Sequence, residues 1–140
     1  MPAIQQSAKF SCSPKELFEM YIDSAKHTAA TGMPARLSRR AGGNFTAFGK
    51  MLRGRNLLVV PNRKIVQAWR SAGWKRSEPD SILVLEFSKT GRGSQVDLVH
   101  IGVPKHDYKG VMQGWPKYYW QPWKRYLGAR GGKRRGNARV

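Results

Sequence analysis

Hydrophobic residues along this chain follow two different periods. Between residues 35 and 101, apolar and polar positions alternate over short runs. The runs Ala35 to Arg40, Asn44 to Phe48, Leu52 to Val60, Lys64 to Arg70, Ser81 to Ser88 and Ser94 to Ile101 predict strands. Their separators are Gly42-Gly43, Gly49, Pro61-Asn62, a loop holding Gly73 and Pro79, and Thr90 to Gly93. Connections this short predict an antiparallel meander, because parallel neighbours need a crossover of about a dozen residues. Residues 4–10 (IQQSAKF) predict one more strand ahead of these.

The helical period governs both flanks of that region. Ser13, Pro14 and Glu16 put an N-cap, a proline at the first helical position and a capping-box glutamate in order, so a helix is expected from Pro14, with Leu17, Phe18 and Tyr21 as its apolar stripe. A second short helix is expected from Ser24 to Ala30, closed by Gly32 and Pro34. After the strands, Met112, Trp115, Tyr119, Trp123 and Tyr126 recur at spacings of one helical face. Pro116 suits the first turn of the regular helix there, and Pro122 is expected to kink it. The aromatic stripe supplies a cover for one face of the sheet.

Length and composition then bound the class. The chain has 140 residues, 40% of them hydrophobic, which fits one domain with one core. We expect that domain to span residues 1–127, followed by a basic, disordered tail over 128–140. Apolar runs are too short for a spanning helix, and residues 1–15 hold no signal-peptide core, so a cytoplasmic protein without membrane association is expected. Lys and Arg number 26 against 8 Asp and Glu, a net +18. Removing the five basic residues of the tail leaves 21 against the same 8, or +13, so the excess is not confined to the tail. Such a surface attracts anionic partners: an acidic protein, an anionic ligand, or nucleic acid held through Arg130, Lys133, Arg134 and Arg135.

The residue types give no catalytic arrangement. His27, His100 and His106 fall on a helix, a strand and a loop, with no second ligand at metal spacing, so no metal or other cofactor is expected. Glu16, Glu19 and Asp23 share one helical face and read as a solvated one. Cys12, the single cysteine, has no neighbouring histidine to activate it and reads as inert. Gly91-Arg92-Gly93 lies between two strand patterns rather than before a helix, so it is a hairpin turn and not a phosphate loop. Gly42-Gly43 marks a place where a strand bends or bulges. A non-enzymatic protein is expected.

One strand, two short helices, a long meander and a terminal aromatic helix form an α+β order that resembles the helix-grip fold of the START/Bet v 1-like (SRPBCC) superfamily. Gly42-Gly43-x-Phe45, Pro61-x-x-x-Ile65-Val66-x-x-Trp69-Arg70 with Trp74, Gly102-Val103-Pro104, and Gly114-Trp115 followed by Tyr118-Tyr119-Trp120 resemble the Aha1-type branch, named for an activator of the Hsp90 ATPase. The resemblance covers residues 8 to 127. It implies a curved antiparallel sheet of about seven strands around a long C-terminal helix, with a hydrophobic cavity between them and no catalytic residues. The eukaryotic activator has a separate N-terminal domain, of which no counterpart is expected in these 140 residues.

Strand parity turns Trp69 toward the helix and Arg70 outward. A ligand site lined by Trp69, Met112, Trp115, Tyr119 and Trp123 is therefore expected, open to a small hydrophobic or amphipathic molecule. The same residue types would equally fill a solid core. The alternative functions are a co-chaperone-like module that docks an Hsp90-type or other acidic partner, and nucleic-acid association through the tail.

Overall fold

The protein's computed structural model describes residues 2–129. Methionine 1 and residues 130–140 lie outside, and with them the expected disorder of the tail and the charges Arg130, Lys133, Arg134 and Arg135.

Strand β1 (Ile4–Phe10) leads into helices α1 (Pro14–Ile22) and α2 (Ser24–Thr31). Ser13 is the N-cap expected, its Oγ accepting the Glu16 N–H at 3.1 Å, with Pro14 at the first helical position. Asp23 ends α1 and caps α2, accepting the Lys26 N–H at 3.0 Å, and Gly32 at φ +81° closes α2. Leu17, Phe18 and Tyr21 are buried, as their stripe predicts.

The meander follows as β2 (Ala35–Arg36), β3 (Asn44–Ala47), β4 (Leu52–Val60), β5 (Lys64–Ser71), β6 (Ser81–Thr90) and β7 (Gly93–Ile101). Together with β1 these make a seven-stranded antiparallel sheet in the order β1-β7-β6-β5-β4-β3-β2. The first strand therefore closes onto the last.

The strand expected over 35–40 stops at Arg36. Asn56 Nδ2 donates to the carbonyls of Ser38 at 2.7 Å and Arg40 at 3.1 Å, so a side chain rather than a neighbouring strand takes them. The chain turns at Gly42, whose φ is +83°, and the bulge sits on β4, where pairing to β5 slips between Asn56 and Leu58. Gly54 lies opposite Phe45, and a Cβ there would stand 1.8 Å from the Ala68 carbonyl oxygen and 2.7 Å from the Phe45 ring. Its bare backbone is what lets the ring lie down.

The terminal helix starts as α3 (Lys105–Trp115), widens through a π turn at Pro116–Trp120 and returns to α geometry over 121–129, two residues past the expected boundary. Two prolines impose this. Pro122 has no N–H for regular bonding through that turn, and the Gln121 N–H reaches back five residues to the Pro116 carbonyl. The distortion is thus a wide turn ahead of Pro122, not a kink at it. Pro116 likewise cannot donate to the Met112 carbonyl. Gln6 of β1 supplies that bond, its Nε2 donating at 2.7 Å, while its Oε1 accepts the Trp120 indole N–H at 2.8 Å.

The wide turn also resets the buried face. Val111, Trp115, Tyr119, Trp120, Trp123 and Leu127 are buried, Tyr126 is half-buried and Met112 is 36% exposed. At about 100° per residue, Val111 lies some 40° from Trp115 and Met112 some 60° on the other side. The extra residue in the turn brings Trp120 inward, stacked on Trp115 at 5.6 Å. This is the helix-grip arrangement that the element order predicts.

Candidate functional site

Aromatic residues from the helix meet aromatic and polar residues from the concave face of the sheet. Trp69 on β5 points toward the helix, 6.2 Å from Trp115 between ring centres, and Arg70 points the other way. Arg70 binds the loop beyond its strand, donating to the Lys75 carbonyl at 2.9 Å, the Glu78 carbonyl at 3.1 Å and Asp80 at 2.8 Å. The loop residue Trp74 donates its indole N–H to Asp107 of α3 at 2.7 Å.

Two buried histidines fix this arrangement, each with one possible tautomer. Trp115 Nε1–H donates to His100 Nδ1 at 3.2 Å, and an indole can only donate, so the His100 proton is on Nε2. That proton goes to Ser81 Oγ at 2.8 Å, and the hydroxyl donates to the Trp69 carbonyl at 2.7 Å. One relay thus joins the helix to β7, β6 and β5. His27 has the opposite tautomer: its Nδ1–H donates to the Tyr21 carbonyl at 2.7 Å, and Nε2 accepts from the Tyr119 hydroxyl at 3.0 Å. Burial holds both rings neutral, lowering His100 to about 3 and His27 to about 4.

A third buried chain runs from the Tyr21 hydroxyl to Gln67 Oε1 at 2.7 Å and from Gln67 Nε2 to Asn56 Oδ1 at 2.9 Å. Burial pushes both the Tyr21 and Tyr119 phenols well above their usual range, so they stay protonated donors. The histidines serve as struts between elements. His100 donates to Ser81 Oγ, whose own proton is held by the Trp69 carbonyl, so it is not placed to take that proton; His106 faces Glu78 at 2.9 Å. Cys12 is buried with its Sγ 3.6 Å from Ser94 Oγ. Of the α1 acids, Glu19 pairs with Arg39, Nη1 to Oε1 at 3.0 Å, and Asp23 is the α2 cap. Among the described residues no group of three or more His, Cys, Asp or Glu could hold a metal.

Between helix and sheet lies a cavity of about 590 Å³. Trp69, Trp115 and Tyr119 line it together with Phe48, Met51 and Leu52 from the β3–β4 hairpin. Its charged residues are Asp107, Lys117 and Arg125. Two of the residues expected to line the site do not. Trp123 is 0% exposed and packs into the core against Phe10 at 5.7 Å and Trp120 at 5.6 Å, while Met112 is turned away by the phase of the helix. Phe48 and Met51 were missed because they reach the cavity from the turn between β3 and β4, where no period marks them, and Tyr118 because it does so from the π turn, which breaks the helical period. A larger hollow of about 710 Å³ over Glu78, Pro79 and residues 102–106 is an open surface depression with no aromatic wall.

The indole N–H groups of Trp69 and Trp123 are buried without a hydrogen-bond partner. Each such donor costs about 1–3 kcal/mol. No helix among the described residues is long and apolar enough to cross a membrane.

Comparison with known proteins extends this description. Over 119 residues the chain is 28% identical to Activator of 90 kDa heat shock protein ATPase homolog 1 of Homo sapiens, covering 85% of this chain and 35% of that protein. The corresponding protein of Dictyostelium discoideum is 28% identical over 110 residues, which are 78% of this chain and 28% of the relative. This chain therefore spans about a third of the length of the curated relatives it matches. In fold it is similar to an Hsp90 activator from Plasmodium falciparum, with TM-score 0.81 and 21% identity over 90% of this chain and 96% of that one. CalU16 from Micromonospora echinospora gives TM-score 0.75 at 22% identity, covering 97% and 84%. The family profile described as Activator of Hsp90 ATPase homolog 1-like protein matches residues 11–128, and the chain belongs to that family.

Proposed function

We propose that this chain is a non-enzymatic binding domain that takes a small hydrophobic or amphipathic molecule into the cavity between its sheet and its terminal helix. The observation that carries the reading is a space of about 590 Å³ walled by Trp69, Trp115 and Tyr119. Ligand sites run from roughly 300 to 1,000 Å³, mostly apolar with a few polar groups. Here the polar groups include Ser71 and Thr31.

Gly114 lines the same cavity, and a Cβ there meets only the Tyr118 ring, at 3.5 Å. Gly114→Leu therefore fills the space while improving helix propensity. Titration with decanol and naphthalene, read by tryptophan fluorescence and native mass spectrometry, should show saturable binding to the native chain and none to Gly114→Leu. Binding that ignores the filled cavity, or no binding at all, overturns the reading.

A second reading, a module that docks an acidic chaperone face, is supported by the names of its relatives and by a net charge of +18. On the convex face Arg36, Thr46, Arg53 and Arg70 fall in one cross-strand row, with Arg55 beside it. Purified Hsp90 should bind the chain at about 50 mM salt and release it at about 500 mM, because a charge-steered contact weakens with screening. Salt-independent affinity, or none, removes this reading.

A further inference from the structure

The cavity's charged groups are unevenly placed, and the imbalance bears on what the cavity holds. Asp107 is the one acid in its wall, and Oδ2 of that carboxylate already accepts the Trp74 indole N–H at 2.7 Å. Lys117 and Arg125 are the two cations. They stand two turns apart on the helix, about 12 Å by its rise. Both are exposed at the cavity edge, and among the described residues neither is paired with a carboxylate. Lys117 Nζ lies over the Tyr118 ring at 5.2 Å, and Tyr118 packs edge-on against Phe48 at 5.7 Å. Cationic edge and aromatic wall are thus continuous.

Resting on the proposed ligand-binding function, we infer that the ligand is an amphipathic anion. Its apolar body lies on the wall formed by Trp69, Trp115, Tyr119 and Phe48. Its carboxylate, sulfate or phosphate head stays at the edge, at Lys117 and Arg125. An anion keeps part of its hydration there and gains charge-assisted hydrogen bonds, whereas the same charge deeper in the cavity would be stripped of water away from both cations. A cationic amphiphile meets two like charges at that edge against one engaged carboxylate.

Decanoate and decanol share a hydrocarbon body and separate the two claims. Tryptophan fluorescence titration at low salt should show decanoate binding the native chain about tenfold more tightly than decanol. The double variant K117Q/R125Q should lose that preference and keep its affinity for decanol, with an unchanged far-UV circular dichroism spectrum. R53Q/R55Q, which removes two exposed charges from the far face of the sheet, should keep the preference. Equal binding of the two probes to the native chain overturns the anion inference and leaves the cavity reading standing; binding of neither overturns both. A preference for decanoate that survives in K117Q/R125Q, or that disappears in R53Q/R55Q, assigns the effect to net charge and also overturns the inference.

Discussion

Acid should unfold this protein through His27 and His100, by an amount that can be worked out. In the folded state His100 titrates at about 3 and His27 at about 4, against an ordinary value of 6.5. Both folded values are depressed, so the unfolded chain binds protons first as pH falls. The stabilisation is complete above about pH 6.5 and is lost as pH drops toward 4. Two protons taken up on unfolding give a slope of about 2.7 kcal/mol per pH unit and a cumulative loss of about 6 kcal/mol by pH 4. That is comparable to the whole stability of many domains, roughly 5–15 kcal/mol.

Burial lowers both rings, and at His27 the Tyr21 carbonyl that accepts from Nδ1 offsets part of that shift. A proton on His27 Nε2 meets a Tyr119 hydroxyl that can rotate to accept it, whereas a proton on His100 Nδ1 meets the Trp115 indole N–H, which cannot. Urea unfolding followed by tryptophan fluorescence at intervals from pH 8 to 4 measures the slope directly. His27→Asn and His100→Gln should each lower it by about one proton, whatever they do to absolute stability. A native slope below one proton per molecule between pH 6 and 5, or an unchanged slope in the two variants, refutes the reasoning.

Gln6→Leu leaves the Met112 carbonyl and the Trp120 indole N–H without their partner; urea denaturation should show a loss of about 2 kcal/mol, and hydrogen exchange should rise around the π turn. Gly54→Ala drives a Cβ into the Ala68 carbonyl and the Phe45 ring, so thermal unfolding should come about 10 °C lower, corresponding to about 3 kcal/mol. A change within 2 °C would mean that β4 and β5 can separate there freely, contrary to the contact described.

The architecture was legible because its signals are local. Ser13-Pro14-Glu16, the turn residues of the meander and the parity that faces Trp69 toward the helix all act within a few residues, and each held. What escaped depends on contacts between distant segments. The early end of β2 is set by Asn56 on another strand, and the inward turn of Trp120 follows from two prolines acting together on one helical turn. Pro116 and Pro122 were visible, but their joint effect is a change of phase that shifts which residues face inward rather than a break. The cavity was half legible. Trp69, Trp115 and Tyr119 follow from parity and period, while Phe48 and Met51 arrive on a tight hairpin whose Phe48 and Gly49 have φ of +52° and +69°.

The bond that Gln6 makes to the last helix, with the pairing of β1 onto β7, also sets an order of events. Strands β3 to β7 can zip hairpin by hairpin, each step closing a short loop at small entropic cost. Strand β1 must wait: Ile4 pairs with His100, and Gln6 meets Met112 and Trp120. Folding is therefore expected to end with a long-range docking step in which β1 closes onto β7 and the terminal helix. Slow folding with a late rise in tryptophan burial is the kinetic signature of that closure.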